Sequence, residues 1–226
     1  MQLHIGNKNY SSWSMRAGVL ARHFGLPVTE VMQRFDGFGP ESRFKQAMNA
    51  ISPTGQVPVL VADGLVVWDT LAIAETLAER FPQHALWPRD SGARARARSL
   101  CAEMHSGFRA LRSACPMNIE AQLPAIGAQV LAEQPAVAAE LARLNQAWGD
   151  ALAASGGPFL FGDFSIADAY FAPVVARLRS YALPVSAPVA AYMDAVWASP
   201  GVASWVAEAL AEADYLDFEE PYRSQR

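Results

Sequence analysis

Two hydrophobic periodicities divide the chain. Up to Phe81-Pro82 short apolar runs alternate with segments of helical spacing, and beyond Gly92 apolar residues recur almost everywhere at three- and four-residue steps. Leu3-His4-Ile5-Gly6-Asn7 reads as a short first strand, and Ser14 to Phe24 as a first helix, with Gly25 placed to cap its C-terminus. Val57 to Val61 has the β-branched character of a buried strand. Proline cannot donate a ladder hydrogen bond, so Pro58 marks the strand's start. Asp63-Gly64 then separates it from Leu65-Val66-Val67-Trp68, the spacing of a tight hairpin. The period changes again at Leu71, Ala74, Leu77, Ala78 and Phe81, a helix with the capping oxygens of Asp69 and Thr70 just ahead of it.

The second half predicts helices over 93–114, 134–155, 165–181, 185–198 and 201–213, with no strand runs. The resulting division is a small α/β unit over 1–81, a proline- and glycine-containing linker over 82–92 and an all-helical unit over 93–226. Ser165-Ile166-Ala167-Asp168 has the spacing of a capping box, in which Ser165 and Asp168 satisfy orphan backbone donors at a helix start. That role is structural, and no catalysis is assigned to Asp168.

Composition narrows the function classes. At 226 residues the chain is long enough to bury a large core without staples. Only two cysteines are present, Cys101 and Cys115, with no metal-ligand or disulfide spacing, which fits a reducing cytoplasm and no metal cofactor. The net charge of −4 comes with no sustained basic tract beyond Arg94, Arg96 and Arg98, so nucleic acid is a poor partner. No apolar run reaches the ~18 residues of a membrane span, and the expectation is a soluble chain.

The ordered combination Val57-Pro58, hairpin, Asp69-Thr70 and helix resembles the thioredoxin-like domain of cytosolic glutathione transferases. The resemblance extends over essentially the whole chain, since a small α/β domain followed by a helical one is that family's plan. It implies a cis Val57-Pro58 bond, with the Val57 backbone pairing with the cysteinyl backbone of glutathione by strand addition. It also implies that Asp69 and Thr70 hold the γ-glutamyl end, the carboxylate on the ammonium and the hydroxyl with the helix N-terminus on the carboxylate.

Ser11-Ser12-Trp13-Ser14-Met15-Arg16 is similar to the Ser-Ser-Cys-Ser-x-Arg signature of the zeta class, whose known activity is maleylacetoacetate isomerisation. The similarity makes Ser11 the thiolate-stabilising residue, with Ser12 a close rival. Serines at a strand-to-helix junction also serve simply as caps. Lowering a thiol pKa by about two units requires roughly 2.7 kcal/mol. A partly buried helix dipole supplies up to ~2 kcal/mol, and a hydrogen bond to a charged group about 1.5 to 3 kcal/mol. One hydroxyl on one helix end therefore suffices. Tyr10 is the alternative, because other classes activate the thiol with a tyrosine near the first strand. Trp13 stands where the zeta class has cysteine, which argues against thiol-exchange chemistry, and Ala17-Gly18 stands where that class commonly carries a further arginine.

Within 93–114, Leu100, Cys101, Met104, Phe108 and Leu111 form an apolar stripe beside a polar one of Arg98, His105, Arg109 and Arg112. Such a stripe is a solvated face in many helices. The family resemblance instead puts it along the electrophile site, where His105, Arg109 and Arg112 would meet an anionic substrate. Met15 and Trp13 are further candidates for the pocket wall. The expected function is a homodimeric glutathione transferase or isomerase acting on a small electrophile. The alternative is an interaction module of the same fold without catalysis.

Overall fold

In the computed structural model, which describes residues 1–226, the first half folds around a four-stranded sheet. Its elements are β1 (Gln2–Ile5), α1 (Ser12–His23), β2 (Thr29–Met32), α2 (Arg43–Ile51), β3 (Val59–Ala62), β4 (Leu65–Trp68) and α3 (Thr70–Arg80), with strand order β2-β1-β3-β4. β1 runs parallel to β2, with Leu3 opposite Glu30, and antiparallel to β3, with Leu3 opposite Leu60. A parallel pair needs a crossover, and α1 provides it. β3 and β4 form the expected hairpin, Val59 opposite Trp68, closed at Asp63 and Gly64, both at positive φ as a two-residue turn requires.

Seven helices follow: α4 (Ser91–Ser106), α5 (Arg109–Ala114), α6 (Pro124–Glu133), α7 (Pro135–Ser155), α8 (Ile166–Ser180), α9 (Ala187–Ala198) and α10 (Pro200–Glu212). The α/β-plus-helical class expected from the sequence is the one observed. The single helix expected over 93–114 is two. Gly107 leaves the helical region and Phe108 takes a left-handed conformation at φ +53, which redirects the chain between α4 and α5. No helix is long and apolar enough to cross a membrane.

α8 is the centre of the molecule, buried on nearly every side, as an apolar helix must be. At its start the Asp168 carboxylate, fully buried, accepts from Ser165 N at 2.8 Å, Ser165 Oγ at 3.1 Å and Leu160 N at 3.1 Å. Burial pushes its carboxyl up to about 6 while those donors pull it down. α1 lies against α8 and α10, so both halves share one core. Two glycines permit this approach. A Cβ on Gly18 would fall 2.1 Å from the Trp205 ring, and one on Gly201 2.4 Å from the Val19 carbonyl.

After α10 the chain returns across the molecule through a single 3-10 turn, Asp217–Glu219.

Candidate active site

A cleft of about 650 Å³ opens where the sheet half meets α4, α5 and α8. The sheet half lines it with Ser11, Ser12 and Trp13 where β1 gives way to α1, the Thr54-to-Pro58 segment before β3, and Asp69-Thr70 at the start of α3, beside Phe38 and Lys45. His105, Arg112 and Arg177 line it from the helical half.

Ser11 is the N-cap of α1. Its hydroxyl donates to Ser14 Oγ at 2.7 Å and accepts from Ser14 N at 3.4 Å, and Ser14 Oγ in turn accepts from Gly6 N at 3.0 Å. Ser12, the first helical residue, is half-buried on the cleft and makes no side-chain hydrogen bond within the chain. Of the two serines, it has the free hydroxyl. Tyr10 has a different occupation. Its hydroxyl donates to Glu220 Oε1 at 2.7 Å, and burial together with that carboxylate pushes its pKa up to about 12.

The Val57-Pro58 bond is cis. Neither the Val57 N–H nor its carbonyl has a partner in the chain, so an extended backbone could pair there without breaking any bond. The loop before it is braced by Lys45 Nζ, which donates to Gly55 O at 2.8 Å and Thr54 O at 3.4 Å.

Asp69, at φ +75, caps α3 through Leu71 N at 2.8 Å and holds His105 Nε2 at 3.3 Å on its other oxygen. Thr70 is buried with its hydroxyl 2.6 Å from the Tyr170 hydroxyl, which also meets His105 Nδ1 at 3.3 Å. The γ-glutamyl candidates of the first half are thereby joined to α4 and α8.

Arg112 and Arg177 make the floor of the cleft cationic, and Arg16 lies behind it against Trp13. Arg16 is 4% exposed, its guanidinium stacked between Trp13 and Tyr170 at 4.3 and 4.4 Å from the ring centroids, with Nε and Nη1 unpartnered. Arg177, 6% exposed, donates only to the carbonyls of Cys115 at 2.9 Å and Pro173 at 3.2 Å. Arg112 donates to the carbonyls of His105 and Gly107 and lies 5.2 Å from the Trp13 centroid. None of the three has a carboxylate partner. Burial, and then mutual repulsion, pushes Arg177 down to about 9, and burial pushes Arg16 down to about 10, with Arg112 adding to both. All three remain charged at neutral pH.

The cleft thus gathers Ser11, Ser12, Trp13, Val57, Pro58, Asp69, Thr70, His105 and Arg112. Two sequence candidates lie elsewhere. Met15 is wholly buried in the main core, because it falls on the face of α1 turned to the helical half. Arg109 is exposed and outside the cleft, because the break at Gly107 and Phe108 removes it from the His105–Arg112 stripe. Sequence reading missed Arg177, Tyr170 and Lys45. Arg177 did leave a signal, an arginine within the otherwise apolar Ala169-to-Leu178 run.

Comparisons with known proteins bear on the family and the fold. Residues 10–80 match the glutathione S-transferase N-terminal domain and residues 93–208 the C-terminal domain. Maleylacetoacetate isomerase of Rattus norvegicus is 26% identical over 176 residues, 77% of this chain and 76% of that protein. A probable maleylacetoacetate isomerase of Caenorhabditis elegans is 31% identical over 45% of each, so the chain spans about half the length of that relative. Among solved structures, a glutathione transferase homologue from Burkholderia with bound glutathione shares 26% identity at a TM-score of 0.62, covering 94% of this chain and 98% of that one. A bacterial zeta-class maleylpyruvate isomerase shares the fold at a TM-score of 0.69 and 24% identity, over 96% of this chain and all of the other. With both domains matched, and the helical one alone spanning half of the sequence, the chain belongs to the glutathione S-transferase family.

Proposed function

We propose that this protein is a serine-type, zeta-like glutathione transferase that isomerises or conjugates a small anionic electrophile. The observation that carries the reading is the convergence, on one cleft, of a free backbone edge at Val57, an open hydroxyl at the α1 N-terminus and two arginines, Arg112 and Arg177, without carboxylate partners. The tripeptide backbone pairs at Val57 and its γ-glutamyl ammonium meets Asp69, with His105 exchanging that contact for the ligand's. The thiol proton leaves to solvent. The thiolate stays at the N-terminus of α1, where the helix dipole and the Ser12 hydroxyl favour the anion.

Isomerisation then requires the thiolate to add to one carbon of a cis double bond, the electron pair to delocalise into the adjacent carbonyl, rotation about the resulting single bond, and expulsion of the thiolate to restore the alkene. The arginines hold the electrophile's carboxylate throughout, as paired guanidinium groups do well. A homodimer belongs to the same reading. Leu65 and Trp68 of β4 are exposed at 51% and 43%, apolar surface that a second copy would cover, and a monomeric mass by light scattering would remove that part.

The deciding experiment compares thiolate absorbance of the glutathione complex in the parent, Ser11→Ala and Ser12→Ala proteins. Ser12→Ala is expected to remove the signal at neutral pH, the pKa rising by about one to two units for one charge-assisted bond. Loss confined to Ser11→Ala would transfer the role to Ser11, and an unchanged signal in both would end the serine mechanism. Retention on immobilised glutathione, lost in Asp69→Ala, tests the tripeptide assignment separately.

A further inference from the structure

Residues 214–223 form a strap along one side of the cleft, which Glu219 lines. Asp214 pairs with Arg34 and accepts from Asn7 Nδ2 at 2.6 Å, and Phe218 meets Phe38 edge-on with centroids 5.5 Å apart. Glu220 receives the Tyr10 hydroxyl at 2.7 Å and Asn118 Nδ2 at 2.8 Å, and is also paired with Arg223. The Tyr222 hydroxyl donates to Ala114 O at 2.7 Å. Asn7, Tyr10, Arg34 and Phe38 belong to the sheet half, Ala114 and Asn118 to the helical half, so the strap is fastened on both banks.

Between these anchors Glu219 lines the cleft. Its neighbour Glu220 and the strap's Asp214 are both paired, whereas the Glu219 carboxyl has neither a hydrogen bond nor an ion pair within the chain. Burial, with the adjacent Glu220 charge, pushes it up to about 7. A half-buried carboxyl left without a partner is costly when ionised, more so with a second anion beside it. Arg112 and Arg177 line the same cleft, yet neither is within ion-pair distance of it. The cavity therefore offers cations at one place and an acid at another.

We propose that Glu219 is a specificity-determining residue of the electrophile site: its carboxylate tolerates a neutral group at the end of the substrate away from the arginines and excludes a second carboxylate there. The preferred electrophile is then a monoanion, its single carboxylate on the arginines. The assignment rests on the anionic-electrophile reading above and narrows it.

A matched pair of substrates tests it. Maleylacetone carries one carboxylate, and maleylpyruvate has a second in place of the terminal methyl. Steady-state kinetics with saturating glutathione, at a pH above the Glu219 pKa so that its carboxyl is ionised, on the parent and Glu219→Gln, give KM and kcat for each, with glutathione affinity by calorimetry as the control for folding. In the parent, kcat/KM is expected to favour maleylacetone. Glu219→Gln is expected to lower KM for maleylpyruvate about two- to fivefold, the scale of a partly solvated charge pair, and to leave the KM for maleylacetone within about twofold. Equal effects on the two acids, or none on either, overturn the role of Glu219 alone. A parent that binds glutathione but turns over neither acid overturns the anionic-electrophile reading and this assignment with it.

Discussion

At the scale of single residues, the three arginines work against the stability of the resting protein. A buried charge without a counter-ion is among the most unfavourable groups a core can hold, and Arg177 has only carbonyls around it. Arg177→Met should therefore leave thermal stability unchanged or raised, while KM for an anionic electrophile rises about 10- to 100-fold, as expected for a lost charge-assisted bond. The same variant should barely alter kinetics with a neutral nitroaryl halide. Equal losses on charged and neutral substrates would show that the residue only supports the fold. Ser11 and Ser12 illustrate the opposite economy, since adjacent hydroxyls divide capping from exposure by one step of backbone.

At the scale of elements, α1 is both the platform for the thiolate candidates and the seam between the two halves. Gly18 explains one departure from the zeta signature in packing terms. A further arginine could not stand where the Trp205 ring would lie 2.1 Å from a Cβ. Gly18→Ala should destabilise the protein by about 1 to 3 kcal/mol through overpacking, measured by denaturant unfolding, with glutathione affinity reduced as the α1 N-terminus shifts. A destabilisation below a few tenths of a kcal/mol would mean that α10 can withdraw freely. The hairpin, α3 and the capping box at α8 were legible because each is set by local chemistry: Asp63-Gly64 at the turn, Asp69 at a cap, Ser165 with Asp168. β2 and α2 were not, since Thr29–Met32 is a half-buried edge strand of four residues and Arg43–Ile51 a short helix with two fully buried side chains, Phe44 and Met48. The α4–α5 break escaped notice because the apolar stripe continues through it from Met104 to Leu111 while the backbone does not. In the site, residues adjacent in sequence were found, and those brought in from α8 and the tail depended on tertiary placement.

At the scale of the whole molecule, the cleft is a property of the assembly of both halves and the strap. Its serines and Asp69 come from one half, its arginines from α5 and α8, and Glu219 from the last few residues of the chain. The unpaired cations of its floor make the folded state itself a detector. Any anion that fits them adds its binding free energy to folding, about 2.7 kcal/mol at a hundredfold excess over Kd, or roughly 5 to 10 °C for a chain of this length. Melting curves recorded against a library of carboxylates should therefore rank electrophile candidates before any turnover is seen, the shifts disappearing in Arg177→Met; shifts that persist in that variant would place the anions elsewhere on the surface.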